Sequence, residues 1–325
     1  MTLPVSTALP IARYRFTAVV QKPLPLPDYA GSLLRGQFGA ALRQVACMTR
    51  QPTCPGCPLL QTCPYTRIFE APAPAKGQHA LQDFSQIPNP YVMEPPAPGV
   101  RLLETGAVLV FHLVLVGHAI DQLALIVFAL QRALAQGLTR QRVPAELLQV
   151  EYVDAQGVAQ AVWSRDQPAL AEHAASLAVP NAPADIGSGL VLSVHTPLRL
   201  QYQGRPLGVA QLTPRALMAA LARRIALLME LHAGQGGWGD AARKVTHQAE
   251  SLGDQRDLRW HDWTRYSSRQ QQEMTLGGVL GRWRLTGDPT TLAALWPWLW
   301  LGQWLHVGKN ATMGMGSIAL EGHPP

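Results

Sequence analysis

One order of elements occurs twice along this chain, and it restricts the architecture more than any single residue does. In the first half, residues 13–20 read as a strand that Leu24-Pro25-Leu26-Pro27 interrupts. Asp28 is placed to N-cap a helix from Tyr29 to about Cys47, with Leu33, Leu34, Phe38, Ala41, Leu42 and Val45 as its apolar stripe. Residues 71–100, rich in Pro and Ala, read as an extended arm; 107–116 are β-rich; 120–136 are helical through Leu123, Val127, Leu130 and Leu134; 148–153 close the set as a strand. The second half repeats the sequence of events. Leu190–Leu200 is strand-like, Thr213-Pro214 opens a helix carrying Leu217, Leu221, Ile225 and Leu228, and two extended segments follow at 257–266 and 273–285. Asp288-Pro289 opens a helix to Leu305 with a kink expected at Pro297, and Met313–Leu320 is the last strand.

Strand, helix, strand, strand, helix, strand is the βαββαβ order of a ferredoxin-like fold. The expectation is an α+β chain of two such domains in tandem, residues 1–153 and 188–325, joined by an Ala/Pro-rich connector at 154–187. The length of 325 residues and an apolar fraction of 47% suffice for two cores.

Charge is distributed unevenly. Residues 1–70 hold seven Lys/Arg and two Asp/Glu, 71–200 seven and ten, and 201–325 thirteen and nine, which gives +5, −3 and +4. Basic ends around an acidic middle suit a groove for an anionic polymer, and equally suit solvated surface charge. MTLPVSTALP lacks the basic n-region and apolar run of a signal peptide, and no window reaches about 18 uninterrupted apolar residues. A cytoplasmic chain that does not enter a membrane is expected.

All four cysteines fall in one short segment, Cys47, Cys54, Cys57 and Cys63, with spacing C-x6-C-x2-C-x5-C. Four thiolates so close can surround one tetrahedral ion without a large core beneath them. Zinc is the expected ion, in a knot inserted at 47–63; a [4Fe–4S] cluster uses the same ligand set, and disulfides are disfavoured in a reducing compartment. A full shell of four thiolates leaves no place for water, so a zinc here is structural.

Between the last helix and last strand lies Leu305-His306-Val307-Gly308-Lys309-Asn310-Ala311-Thr312-Met313-Gly314-Met315-Gly316-Ser317-Ile318. Glycines allow close backbone approach to a ligand, and successive N–H groups can cup phosphate oxygens. The loop precedes a strand, so it is not a P-loop.

This segment resembles the C-terminal signature of the CRISPR Cas-six endoribonucleases of the RAMP superfamily. Three further pieces are similar to a four-cysteine branch of that family: Leu33-Leu34-Arg35-Gly36-Gln37-Phe38-Gly39-Ala40-Ala41-Leu42, the knot ending in Cys63-Pro64-Tyr65, and Trp263-Thr264-Arg265-Tyr266-Ser267-Ser268-Arg269-Gln270 followed by Leu276-Gly277-Gly278. The resemblance spans residues 33–318, with 71–200 matching only in outline. It implies binding of a CRISPR repeat hairpin in precursor RNA, contact with other CRISPR effector subunits, and one metal-independent cut per repeat in antiviral defence. In that cut the ribose 2′-OH attacks the neighbouring phosphorus, leaving a 2′,3′-cyclic phosphate and a 5′-hydroxyl. Many members place a catalytic His in or near the first helix, and here residues 1–70 contain no histidine.

The general base expected here is His306, which lies where the last helix runs into the glycine loop and carries an imidazole, a group that titrates near neutrality, with Lys309 offsetting charge on phosphorus and Arg35 or Tyr266 assisting. Arg265, Arg269, Gln270, Gly308, Lys309, Gly314 and Gly316 are the expected RNA contacts. His261 is a second-rank catalytic candidate. The bland alternatives are a helix-terminal His306, an exposed hairpin with surface arginines, and an Arg35 that pairs within the fold. Trp296, Trp298, Trp300 and Trp304 read as core. Two other functions remain open: an inactive RAMP subunit that holds guide RNA, and an iron–sulfur redox or sensing protein.

Overall fold

The computed structural model describes residues 8–74, 87–99, 101–267 and 272–323, with side chains described outside 264–276. Two compact units emerge, one running Pro10–Leu177 and the other Ala178–Pro325 with the residues up to Leu9.

The first unit contains β1 (Ile11–Val20), α1 (Gly31–Ala46), α2 (Pro64–Phe69), β2 (Tyr91–Glu94), β3 (Val108–Val116), α3 (Leu123–Gln136), β4 (Ala145–Val153) and β5 (Ala159–Ser164). Its antiparallel sheet has the order β2-β3-β1-β4-β5. The first four strands are thus laid out as a ferredoxin-like sheet. β5, which lies within the expected connector, adds a fifth strand at the edge. Alternation along β1 sends Tyr14, Phe16 and Ala18 into the core, where Phe16 stacks on Phe111 at 5.2 Å. Phe38 of α1 and Ile126 and Leu130 of α3 are buried in the same core. The segment Gly117–Gln136 is long and apolar enough by composition to cross a bilayer, yet its stripe of Leu123, Ile126, Val127, Leu130 and Leu134 lies inside this unit.

The helix at 31–46 starts later than the sequence suggests. Its N-cap is Ala30, without a side-chain cap, and Asp28 instead offers its carbonyl to the Gly99 N–H at 2.9 Å.

The second unit contains β6 (Gly189–Leu198), α4 (Pro214–His232), α5 (Trp238–Gln248), β7 (Gly253–Ser267), β8 (Gln272–Thr286), α6 (Pro289–Leu305) and β9 (Ile318–Leu320). Its antiparallel sheet runs β7-β8-β6-β9, the same layout again. Both helix starts carry the caps their sequences suggest: Thr213 accepts from the Ala216 N–H at 3.1 Å and Asp288 from the Thr291 N–H at 2.9 Å, each followed by proline. The two extended segments are one long hairpin, paired in register from Gly253↔Thr286 to Ser267↔Gln272. α5 is an addition between α4 and β7. The last strand is shorter than expected and begins only at Ile318: Met313 ends a 3-10 turn, and Gly314 and Gly316 turn the chain with positive φ. The four tryptophans of α6 are all buried, as core residues.

Candidate nucleic-acid interface

The glycine loop is held from within. The Val307 N–H donates to Gly316 O at 3.0 Å, the Gly316 N–H to Pro197 O at 3.1 Å and the Lys309 N–H to Arg199 O at 2.9 Å. Thr196 works from both sides: its hydroxyl donates to Gly314 O at 2.7 Å and accepts from the Ser317 N–H at 2.8 Å. Gly308, Gly314 and Gly316 have φ of +89°, +87° and +69°, and a Cβ on Gly316 would come within 1.8 Å of Val307 O. Glycine is required here by the loop's own turns and its contact with the end of β6. The N–H groups of Lys309 and Gly316, expected to cup phosphate, are spent on this internal scaffold.

His306 ends α6 with φ +56° and is only 2% exposed, its Nδ1 lying 3.2 Å from Met315 O. A base must touch the hydroxyl it deprotonates. The ring of His306, expected as that base, is covered and clasps the loop. Arg224 donates from Nε to Leu305 O at 2.8 Å, so the carbonyl end of α6 meets a cation. Burial holds the Arg224 guanidinium down to about 10. Lys309, by contrast, is exposed on the loop, where its charge is available to an anion.

Arg35 is half-buried on α1. Its Nε donates to Tyr91 OH at 3.1 Å, and its guanidinium lies 4.4 Å from the Phe69 ring centroid. It pairs within the fold, though with a hydroxyl and a ring. Of its neighbouring glycines, Gly39 is the packing residue, since a Cβ there would meet the Phe69 ring at 2.2 Å, while Gly36 faces open space. Arg265 and Tyr266 lie on β7, opposite Met274 and Glu273; their side chains, and Arg269 and Gln270 altogether, lie outside the described residues.

Sequence reasoning missed three residues that the fold brings to the loop. His195 is exposed, and its N–H donates to Ser317 O at 2.9 Å. Thr196 and Arg199 follow it along the end of β6. They lie more than a hundred positions upstream of the loop, so only strand pairing reveals them. His261 lies opposite Gly278 on the hairpin, half-exposed, with its ring edge-on to Trp263 at 5.4 Å.

The four cysteines are free thiols, each partly exposed. Their loop is braced by Arg43, which donates to Gln51 O at 2.5 Å and Pro52 O at 2.9 Å, and by Thr66, which donates to Leu60 O at 2.6 Å. Desolvation raises the Cys54 thiol, with the Glu70 carboxylate adding to it. Among the described residues no three Cys, His, Asp or Glu side chains converge as a ligand shell. The donor types suit zinc, but as placed the sulfurs do not form its tetrahedron.

Residues 9–175 match a family model described as the AF_1859_N N-terminal domain, and residues 192–318 match that of the CRISPR-associated endoribonuclease Cas6. No curated protein sequence matches the chain. Among solved structures it is similar to a Cas6 (TTHB231) product complex, with TM-score 0.58, 18% identity and coverage of 95% of this chain and 98% of that one. Thermus thermophilus Cas6 (TTHB231) gives 0.52, 16%, 97% and 100%. A partial Cas6-RT-Cas1–Cas2 complex gives 0.55 and 14%, covering 99% of this chain and 47% of that one. Both units are laid out as ferredoxin-like sheets, the chain shares the fold of these Cas6 structures, and its glycine loop lies inside the segment that matches the Cas6 endoribonuclease model.

Proposed function

We propose that this chain binds CRISPR repeat RNA and cuts it without a catalytic metal. The ribose 2′-OH attacks the adjacent phosphorus and the 5′-oxygen leaves, giving a 2′,3′-cyclic phosphate and a 5′-hydroxyl. The observation that carries the reading is the Cas6 model match over 192–318, the region holding the hairpin and the glycine loop. Lys309, exposed on that loop, offsets charge gathering on phosphorus. With His306 buried, proton transfer falls to imidazoles that solvent reaches, His195 beside the loop and His261 on the hairpin. Repeat RNA is the partner, and the similarity to a Cas6-RT-Cas1–Cas2 complex supports further CRISPR subunits as partners. The test is incubation with repeat RNA in EDTA. One discrete product per repeat, with a 5′-hydroxyl that kinase labels directly, is expected; cutting only after added metal would overturn the mechanism.

A second reading has its own observation. Residues 1–70 hold no histidine and His306 is covered, which favours an RNA-holding subunit without nuclease activity. Tight repeat binding with no product in the same assay would select it. The cysteine loop enters both readings as a structural zinc site that forms when the four sulfurs draw together. A brown protein absorbing near 400 nm would replace zinc by an iron–sulfur cluster.

A further inference from the structure

Directly after Arg199 the chain makes a very small hairpin, Gln201–Tyr202 paired with Arg205–Pro206. Gln203 and Gly204 at its tip have φ of +48° and +79°, the two positive values of a type I′ turn, which matches strand twist and makes a stiff ribbon. Tyr202 and Arg205 are direct cross-strand partners, so both side chains leave the same face. Tyr202 is 68% exposed, and Arg205 is exposed as well.

The ribbon is fixed to the glycine loop. Arg199 O receives the Lys309 N–H at 2.9 Å, and a Cβ on Gly308 would come within 2.6 Å of that oxygen. The Leu207 N–H closes the base of the ribbon on Leu200 O at 2.9 Å. Beyond it, Arg256 of β7 donates to Val209 O at 2.9 Å and Leu212 O at 2.6 Å. Among the described residues the Arg199 guanidinium reaches the Gly277 carbonyl, at 3.4 Å, and no carboxylate pairs with Arg199 or Arg205. Along the chain, residues 186–229 contain five arginines and no Asp or Glu; of the five, Arg215 pairs with Glu250 at 2.6 Å.

We infer that Tyr202 and Arg205 form a nucleotide contact beside the glycine loop, for one unpaired nucleotide of the bound RNA. Tyr202 stacks on the base, and Arg205 and Arg199 take the flanking phosphates. An exposed aromatic ring offers any base a π-face, and unpaired arginines offer its phosphates charge without first breaking an ion pair. The stiff turn holds both groups in place before the RNA arrives, so little ordering is lost on binding. This site rests on the RNA-processing reading above.

Equilibrium binding of a labelled synthetic repeat RNA, measured at several salt concentrations on the full chain, tests it. Tyr202→Ala should weaken binding roughly five- to a hundredfold without altering the salt dependence, while Tyr202→Phe, which keeps the ring, should stay within about twofold of the parent. Arg205→Ala should flatten the log–log salt slope by about one unit. Thermal melts should coincide, since both side chains are exposed. A parent chain that binds, with Tyr202→Ala unchanged and the slope of Arg205→Ala unchanged, overturns this site alone. A parent chain that does not bind repeat RNA overturns the RNA-processing reading and the site with it.

Discussion

The Nδ1 atom of His306 lies 3.2 Å from the carbonyl oxygen of Met315, so the last residue of the α6 turn clasps the glycine loop from inside. Removing the ring leaves a cavity and takes a hydrogen-bond partner from the Met315 carbonyl. His306→Ala should lower stability by roughly 1–3 kcal/mol, yet the folded protein should cut repeat RNA within about threefold of the parent rate. Chemical denaturation and single-turnover cleavage with saturating enzyme measure the two effects. A loss on the order of a hundredfold in rate with unchanged stability would restore His306 as the base.

Two glycines should respond in opposite directions. Gly316 has φ +69°, and a Cβ there would overlap Val307 O. Gly316→Ala should cost more than about 1 kcal/mol and weaken RNA binding, because the loop must shift. Gly36 lies inside α1 with open space around it, so Gly36→Ala should add about 0.5–1 kcal/mol. Urea unfolding of both variants checks the contrast, and equal effects would contradict the packing described here.

The cysteine loop makes a prediction about metal content. If four thiolates close around one zinc, Cys54→Ser should lose about one bound equivalent and destabilise the first unit. Elemental analysis of purified parent and variant gives the stoichiometry. Equal metal in both would remove the zinc proposal.

One acidic residue sets a pH dependence on the second unit. Glu321 accepts from Arg282 Nε at 2.7 Å and from the Ser193 hydroxyl at 2.6 Å. The Arg282 hydrogen bond first, and Ser193 second, pull its carboxyl from 4.5 to about 2. A carboxyl lowered on folding contributes stability that is fully present above its unfolded value and is lost as pH falls through the folded one. Thermal melts of the parent should therefore decline between pH 4.5 and about 2, and Glu321→Gln should be less stable at neutral pH with a shallower decline in that window. Parallel acid limbs in parent and variant would contradict the assignment.

Much of the architecture is local and so was legible. Thr213-Pro214 and Asp288-Pro289 announce helix starts because the cap and the missing N–H act within one turn. The stripe Leu217, Leu221, Ile225 and Leu228 shows which face of α4 is buried, and the repeated order of elements gives the tandem fold. Asp28 misled because the helix begins only at Gly31, which puts the capping position at Ala30, two residues beyond it. What the sequence by itself determined was where strands and helices lie, which faces are apolar, and that glycines crowd the last loop. What only the tertiary structure decided was which groups meet. Packing covers His306 beneath the glycine loop, and the pairing of β6 with β9 brought His195, Thr196 and Arg199 to a loop more than a hundred residues away. Exposure and long-range pairing are properties of the packed chain: they depend on what covers a side chain, and local periodicity carries no record of that.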